Sequence, residues 1–272
     1  MKRIAIAAAL IGLSACSATS PTGRNQLLMF SADEMRQMGD QSFAQIKQKE
    51  QLSTNKAINQ YVQCVTAALT KPEHLRAVDD SQQEQWDLVV FDSDQVNAFA
   101  LPGGHIGVYT GLLKAAQTPD QLAAVIGHEI GHVLADHGNE QVSRGQATNL
   151  GLQVIEAALG ASGSQNQGMI MAGLGLGAQV GILLPFGRQQ ESESDVIGLE
   201  LMARAGFDPA ASIALWQNMA KASGGNAPME FMSTHPAHDT RINELSKRQP
   251  EAQGLYKQAQ QQGYQPQCKV PS

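Results

Sequence analysis

The chain has 272 residues, 42% of them hydrophobic, and a net charge of −6 at pH 7. This length is enough for one large domain or two small ones. The acidic balance and the lack of any lysine and arginine run argue against nucleic-acid binding.

The first 15 residues are typical of a signal peptide. Lys2 and Arg3 precede an apolar run that ends in Leu13-Ser14-Ala15-Cys16, and this run is shorter than the roughly 20 apolar residues of a membrane-spanning helix. The small residues before Cys16 resemble the lipobox of bacterial lipoproteins, whose cysteine carries the lipid, palmitate included. An ordinary secretory signal with a chance cysteine is the alternative. Because Ser17 replaces the aspartate that retains lipoproteins at the inner membrane, the resemblance implies an anchor on the periplasmic face of a Gram-negative outer membrane.

The rest of the chain predicts a mostly helical α+β fold. Residues 16–30 have little apolar periodicity and predict a lipidated tether, and residues 31–272 predict a single domain without internal repeats. Ser31 and Glu34 match a capping box, so a helix is expected to begin there. Periodicity and turn residues predict helices to about 51 and over 55–69, strands over 86–91, 96–101 and 105–109, and helices over 118–137, 188–205, 209–222 and 238–248. The glutamine-rich last 25 residues or so predict loose order.

The helix after Thr118 is the clearest element. Thr118 is the expected N-cap, Gln121 stands at the capping-box position, and Gly138 is expected to end the helix. Residues 128–132 of this helix read His-Glu-Ile-Gly-His, which matches H-E-x-x-H.

This motif predicts a metal site. Positions i and i+4 share one helical face, so His128 and His132 can bind the same ion. Glu129 lies beside them, where it can accept a proton from water that the metal activates. The alternative is a helix with two hydrogen-bonded histidines and a surface glutamate. The apolar residues that precede the motif in the helix, within 122–126, favour the metal site.

The third ligand is not a histidine of the metzincin type. That pattern requires a histidine ten residues after His128 and a glycine seven residues after it, where this chain has Gly138 and Ala135. His137 lies at nine, so this class is excluded.

An acidic motif later in the chain is the candidate for the third ligand, and the alternative is a solvated helix face, which is what most such pairs are. Glu191-Ser-Glu-Ser-Asp195 places Glu191 and Asp195 one turn apart on a helix. Glu191 is the expected ligand, and Asp195 is expected to accept the Nδ1–H of a metal-bound histidine. Glu193 faces elsewhere on this helix and is the second choice.

The motifs together resemble one family. H-E-x-x-H followed by E-x-x-x-D is similar to the gluzincin arrangement. The particular residues within and around these motifs resemble those of the family that contains HtpX, the CAAX prenyl endopeptidase and the Oma-type proteases. The stretches that carry the resemblance are 97–104, 128–132, 191–195, 233–236 and 241–242, with 21–24 resembling its periplasmic lipoprotein branch. The resemblance implies a zincin-like domain with one Zn²⁺ per chain, bound by His128, His132 and Glu191, with Glu129 as the base. Ser194 departs from the alanine usual in the family.

Two further segments have candidate roles at the site. Asn97, Ala98, Phe99 and Ala100 can form an edge strand that pairs with an extended substrate, or they belong to a plain hairpin. His235 can donate a hydrogen bond to the oxyanion, occupy the fourth zinc position at rest, or simply pack. Arg241 is expected to pair with an acidic residue near the site.

Two features outside the site leave alternatives open. Cys64 and Cys268 can form a disulfide in an oxidising compartment, or they remain separate thiols. The apolar, glycine-rich insertion at about 146–187 is expected to pack as a helix over the catalytic helix. A lid or a membrane-facing hairpin is the alternative.

These expectations describe a zinc metalloendopeptidase. Its expected substrates are misfolded or stalled cell-envelope proteins, and the outer-membrane assembly machinery is a candidate partner. The rival hypothesis is a periplasmic chaperone or assembly factor that binds extended polypeptide and whose zinc site is structural or plugged.

Overall fold

The computed structural model describes residues 17–79, 85–148, 186–223, 230–235 and 239–271. Cys16 and most of the glycine-rich insertion lie outside these residues. The strands are β1 (Ser17–Thr19), β2 (Asn25–Leu27), β3 (Asp87–Phe91), β4 (Ala98–Leu101) and β5 (His105–Tyr109). The helices are α1 (Ala32–Lys49), α2 (Lys56–Leu69), α3 (Pro72–Val78), α4 (Pro119–Leu134), α5 (described over 137–148), α6 (Arg188–Arg204), α7 (Ala210–Ser223), α8 (Glu230–Thr234) and α9 (Asp239–Gln261), with a 3₁₀ turn at Thr110–Lys114. The predicted α+β, mostly helical fold is confirmed.

The first two helices begin where the sequence predicts. Ser31 and Glu34 form the capping box of α1, and Asn55 caps α2 by accepting hydrogen bonds from two backbone N–H groups. These caps satisfy amides that have no partner inside the helix. The apolar positions of α2 then face the core, where its buried residues are Tyr61, Val62, Val65 and Leu69.

A three-stranded sheet lies beside the catalytic helix. β5 is its central strand, parallel to β3 and antiparallel to β4, and the expected β4–β5 hairpin is confirmed. The turn between β4 and β5 contains Gly103 and Gly104, with φ of +94° and +80°, a region that glycine enters without steric cost. Among the described residues, β4 pairs with a strand on one side only.

The catalytic helix α4 is the centre of the molecule and packs closely against α6. Gly127 and Gly131 of α4 face Gly198 and Ser194 of α6. A Cβ atom on Gly198 would lie 2.7 Å from the backbone nitrogen of His128, so only glycine permits this approach. This contact places the two motif-bearing helices side by side.

The end of α4 differs from the prediction. The helix ends at Leu134 instead of continuing to Gly138, and Asp136 adopts a left-handed φ of 52°, which aspartate tolerates better than most residues. A separate helix, α5, then begins at residue 137. The Thr118 side chain accepts the hydrogen bond from the Gln121 backbone as expected. The Gln121 side chain, however, accepts a hydrogen bond from the backbone N–H of Gln117 and not from that of Thr118, so the expected capping box is incomplete.

The described part of the predicted tether contains regular structure. β1 and β2 pair antiparallel, and we call Ser17–Leu27 the N-terminal arm. Gln26 is buried and donates a hydrogen bond from Nε2 to the carbonyl of Ala135 at 2.5 Å. The arm therefore contacts the end of the catalytic helix.

The C-terminal region is more ordered than the sequence predicts. α9 continues through Pro250 to Gln261 and buries Ala252 and Ala259. The structure joins Cys64 to Cys268 by a disulfide with a Cα–Cα distance of 5.6 Å, which holds the tail against α2. Among the helices of the described segments, none combines the length and apolar character needed to cross a bilayer.

Candidate metal centre

Four buried side chains converge at the centre of the molecule. His128 and His132 come from α4, Glu191 from the first turn of α6, and His235 directly follows α8. Their ligand atoms all lie within 4.8 Å of one another. The two motifs therefore meet as predicted, and His235 joins them from 107 positions beyond His128.

The spacing of the donor atoms fits a tetrahedral metal. Nε2 of His132 lies 3.1 Å from Nε2 of His128, and each lies 3.5 Å from an oxygen of Glu191. Nδ1 of His235 lies 3.3 Å from Nε2 of His128 and 3.0 Å from Glu191. Zinc with bonds of ~2.0–2.1 Å separates its ligand atoms by about 3.3 Å. The donor set therefore fits a zinc-sized cation.

Hydrogen bonds orient the His128 ring toward the cluster. Nδ1 of His128 lies 3.0 Å from Asp195 and donates its proton to that carboxylate, which leaves the Nε2 lone pair facing the other ligands. Arg241 donates to both oxygens of Asp195 at 2.6 and 2.7 Å and lies 2.7 Å from Glu191. Its guanidinium also stacks on Trp216 at 3.7 Å. Arg241 thus pairs with acidic residues of the site, as the sequence predicted without identifying them.

His132 is oriented by residues that the sequence argument did not assign. Its Nδ1 lies 2.9 Å from Nδ1 of His137, and Nε2 of His137 lies 3.1 Å from Glu193. Glu193 is therefore not a ligand, because it faces His137 on the far side of the ring. The only sequence signal was a histidine five residues after His132, and a helix break separates the two.

The buried electrostatics favour the metal-binding forms of Glu191 and His132. Burial raises the pKa of Glu191, but contacts with His128, His132 and His235 outweigh it and lower this pKa well below its usual range. Burial lowers the pKa of His132. Burial also lowers the pKa of His128, but its contacts with Asp195 and Glu191 outweigh this effect and raise that pKa. An ionised carboxylate and a neutral imidazole are the forms that bind a metal.

Glu129 lies beside the ligands and has a free oxygen. Burial raises the pKa of Glu129 to about 7, opposed in part by His235. Its Oε1 is buried without a hydrogen-bond partner among the described residues and lies 3.5 Å from Nε2 of His235. The backbone of Ala100 in β4 also opposes the rise in the pKa of Glu129. The side chain is thus held between the ligand cluster and the edge of the sheet.

The segment 97–100 runs along this edge. The carbonyl of Asn97 accepts from Tyr109 in β5, Ala98 is buried, and Ala100 faces Glu129. A cavity of about 630 Å³ opens next to His132 at the same edge. Its lining includes Met35, Met38, Ala100, Leu101 and Phe186.

Fold and site together define a zincin-like domain: an H-E-x-x-H helix packs against a helix that carries E-x-x-x-D, beside a small sheet whose strand β4 has a partner strand on one side only among the described residues. The chain belongs to peptidase family M48, whose family model matches residues 56–249. This confirms the family resemblance drawn from the motifs.

Relatives from both mitochondria and bacteria are similar to the chain. It is 38% identical to the mitochondrial metalloendopeptidase OMA1 of Schizosaccharomyces pombe over 65% of this chain and 50% of the relative. It is 34% identical to the Saccharomyces cerevisiae protein of the same name over 74% and 57%. It is 31% identical to the beta-barrel assembly-enhancing protease of Yersinia pestis over 80% and 44%. The chain spans about half the length of the curated relatives it matches.

Proposed function

We propose that this chain is a zinc-dependent endopeptidase that acts on cell-envelope proteins. The observation that carries the proposal is the convergence of His128, His132 and Glu191 beside a buried glutamate whose Oε1 has no described partner. Membership of a peptidase family and relatives named as metalloendopeptidases support the same activity.

Glu129 is the proton carrier in this proposal. A bound zinc ion supplies a Lewis acid that polarises the scissile carbonyl and acidifies water. Glu129 takes the proton of the attacking water and passes it to the leaving amine. A pKa of about 7 suits both transfers, because a group that titrates near the working pH can accept and release a proton.

The edge strand binds the substrate backbone. Asn97, Ala98, Phe99 and Ala100 lie where an extended peptide can add to β4 and pass over Glu129. Backbone pairing of this kind reads few side chains, which suits a protease for unfolded segments. The adjoining cavity, lined by Met35 and Met38, then receives a substrate side chain.

His235 has two roles compatible with its position. It can donate a hydrogen bond to the oxyanion during peptide hydrolysis, or hold the fourth metal position until substrate arrives. Its contacts with His128 and Glu191 at 3.3 and 3.0 Å favour the second role in this conformation. In either role, His235→Ala changes peptidase activity, and unchanged activity excludes both.

The location follows from the N-terminal motif and one group of relatives. The lipobox-like Leu13-Ser14-Ala15-Cys16 supports a lipid anchor at Cys16 on the periplasmic face of the outer membrane. The relatives named beta-barrel assembly-enhancing protease support stalled or misfolded envelope proteins as substrates and the outer-membrane assembly machinery as partner. The OMA1 relatives are mitochondrial, so the anchor needs its own test. Cys16→Ala is expected to move the protein from the membrane to the soluble periplasmic fraction, and a protein that stays with the membrane contradicts the anchor.

Glu129→Gln tests the activity. The amide preserves the shape of the side chain but cannot accept a proton, so the variant is expected to bind zinc like the wild type and lose at least 100-fold in casein hydrolysis. Zinc content is measured by metal analysis and hydrolysis with and without a chelator. Glu34→Gln, at an exposed capping box, is the matched control and keeps full activity.

The same variant separates enzyme from chaperone. If Glu129→Gln still complements a deletion strain, the binding role explains the function, and the peptidase proposal fails. A wild-type protein that carries no metal also contradicts the proposal.

A further inference from the structure

The N-terminal arm contacts two buried carboxylates next to the metal centre. Arg24 donates from Nε to Glu193 at 2.7 Å and from its two Nη atoms to Glu140 at 2.9 and 2.8 Å. Glu193 and Glu140 are 5% and 1% exposed. Ser20 and Thr22 of the same arm donate their hydroxyl protons to the other oxygen of Glu193.

These contacts make Glu193 an acceptor on every side that the structure describes. Oε1 of Glu193 accepts from Ser20 and Thr22, and Oε2 accepts from Nε of Arg24 and from Nε2 of His137. Because Nε2 of His137 carries the proton of that contact, Nδ1 of the same ring has a lone pair. Nδ1 of His132 lies 2.9 Å from this nitrogen and Oγ of Ser194 lies 3.3 Å from it, so the shorter contact assigns Nδ1 of His132 as the main donor. The Nε2 lone pair of His132 is thereby directed at the metal cluster.

The arm supplies the cation that this arrangement requires. A buried carboxylate without a compensating charge is costly in free energy. Glu140 has a second cation in Arg144, but that side chain is 56% exposed and leaves Glu193 untouched. Arg24 bridges both carboxylates from within the arm, so docking of the arm and the order of the His137 ring depend on each other.

We propose that the N-terminal arm is a positioning element of the metal centre: Arg24 holds Glu193, Glu193 orients His137, and His137 sets His132 to bind zinc through Nε2. Arg24, Glu193 and His137 are positioning residues, since none of them belongs to the ligand cluster. The inference rests on the proposed zinc site. It extends that proposal by making metal affinity depend on a segment that begins one residue after the anchor cysteine.

The test measures zinc affinity by competition with a chromophoric chelator. Arg24→Ala and His137→Ala are each expected to weaken zinc binding about 10–100-fold, the range found when hydrogen-bond partners of metal ligands are removed. The double variant is expected to lose no more than the weaker-binding single variant, because both changes interrupt one series of contacts. Arg144→Ala is the matched control, since it removes the exposed partner of Glu140, and its affinity is expected to equal the wild type.

Histidine ring ¹⁵N shifts of the full chain after zinc has been removed provide a second measurement, because zinc bound at Nε2 would itself fix the tautomer of His132. The wild type is expected to show His132 protonated at Nδ1, and His137→Ala is expected to mix the two tautomers. A merely structural role for His137 would leave this signature unchanged. If Arg24→Ala does not fold, His137→Ala decides the question in a protein whose arm is intact.

The outcomes distinguish the two proposals. A wild-type protein without measurable zinc affinity overturns the zinc-peptidase proposal itself. A wild type that binds zinc, with unchanged affinity in His137→Ala, overturns the relay alone. A double variant whose loss is the product of the two single losses shows that the arm and His137 act separately, which also overturns the relay.

Discussion

At the residue scale, Asp195 joins two parts of the site. It accepts a hydrogen bond from Nδ1 of His128 at 3.0 Å. Arg241 donates one hydrogen bond to each of its two oxygens, at 2.6 and 2.7 Å. Burial raises the pKa of Asp195, but the Arg241 charge outweighs this effect and lowers it below its usual value. The carboxylate therefore remains an acceptor for both partners and fixes the ring that presents Nε2 to the metal.

Asp195→Asn is expected to weaken zinc binding about 10–100-fold while the fold is retained. The amide has the size of the carboxylate, but its nitrogen cannot accept a hydrogen bond from His128 or Arg241. Chelator competition gives the affinity and circular dichroism checks the fold. Glu200→Gln on the same helix removes a partly exposed pair with Arg204 and is expected to have little effect. Equal affinity in Asp195→Asn and the wild type would contradict the assigned role.

At the element scale, the site depends on how closely α4 and α6 approach. Gly127 and Gly198 bring the two backbones together, so the histidine pair of α4 and Glu191 of α6 can converge within 4.8 Å. A zinc site tolerates ligand displacements of only about 0.2 Å. Helix separation therefore controls the metal site as directly as the ligands themselves.

Gly198→Ala is expected to destabilise the protein by about 1–3 kcal/mol and to weaken zinc binding. The added Cβ would lie 2.7 Å from the nitrogen of His128 and 2.8 Å from the carbonyl carbon of Gly127, and neither backbone atom can rotate away. Urea unfolding measures the change in the free energy of unfolding. Gly254→Ala in α9 is the control, because nothing lies within 4 Å of the new methyl group and helix propensity predicts a gain of about 0.5–1 kcal/mol. Unchanged stability in Gly198→Ala would mean that the helices can separate freely.

At the scale of the whole molecule, distant parts of the chain are tied together around the site. The arm contacts the end of α4 and the start of α6, and the Cys64–Cys268 disulfide joins α2 to the tail across 204 positions. α9 packs against α6 and α7 between these ties. Both ends of the described chain are thus attached to elements that pack around the ligand cluster.

Replacing both cysteines by serine is expected to lower the free energy of unfolding by about 2–4 kcal/mol, because the crosslink restricts the unfolded chain over a long loop. Urea unfolding with and without reductant provides the measurement. The wild type should lose this stability on reduction, and the Cys64→Ser/Cys268→Ser variant should not respond to reductant. Two free thiols in the unreduced, denatured wild type would refute the bridge.

The sequence by itself determined the parts of this protein that depend on neighbours along the chain. Capping residues defined the starts of α1 and α4, and four-residue spacing placed His128 with His132 and Glu191 with Asp195 on common helical faces. These features are local, since backbone geometry alone relates residues one turn apart. The residues that make up the motifs also identified the family.

Only the tertiary structure decided which side chains support the ligands. The break at Asp136 turns His137 back toward His132, and the arm brings Arg24 to Glu193 across 169 positions. Likewise, α9 continues beyond Pro250 to Gln261, where Ala252 and Ala259 are buried. Such contacts have no period or spacing along the chain, because they arise only when whole elements have packed and each buried charge needs a partner from another element.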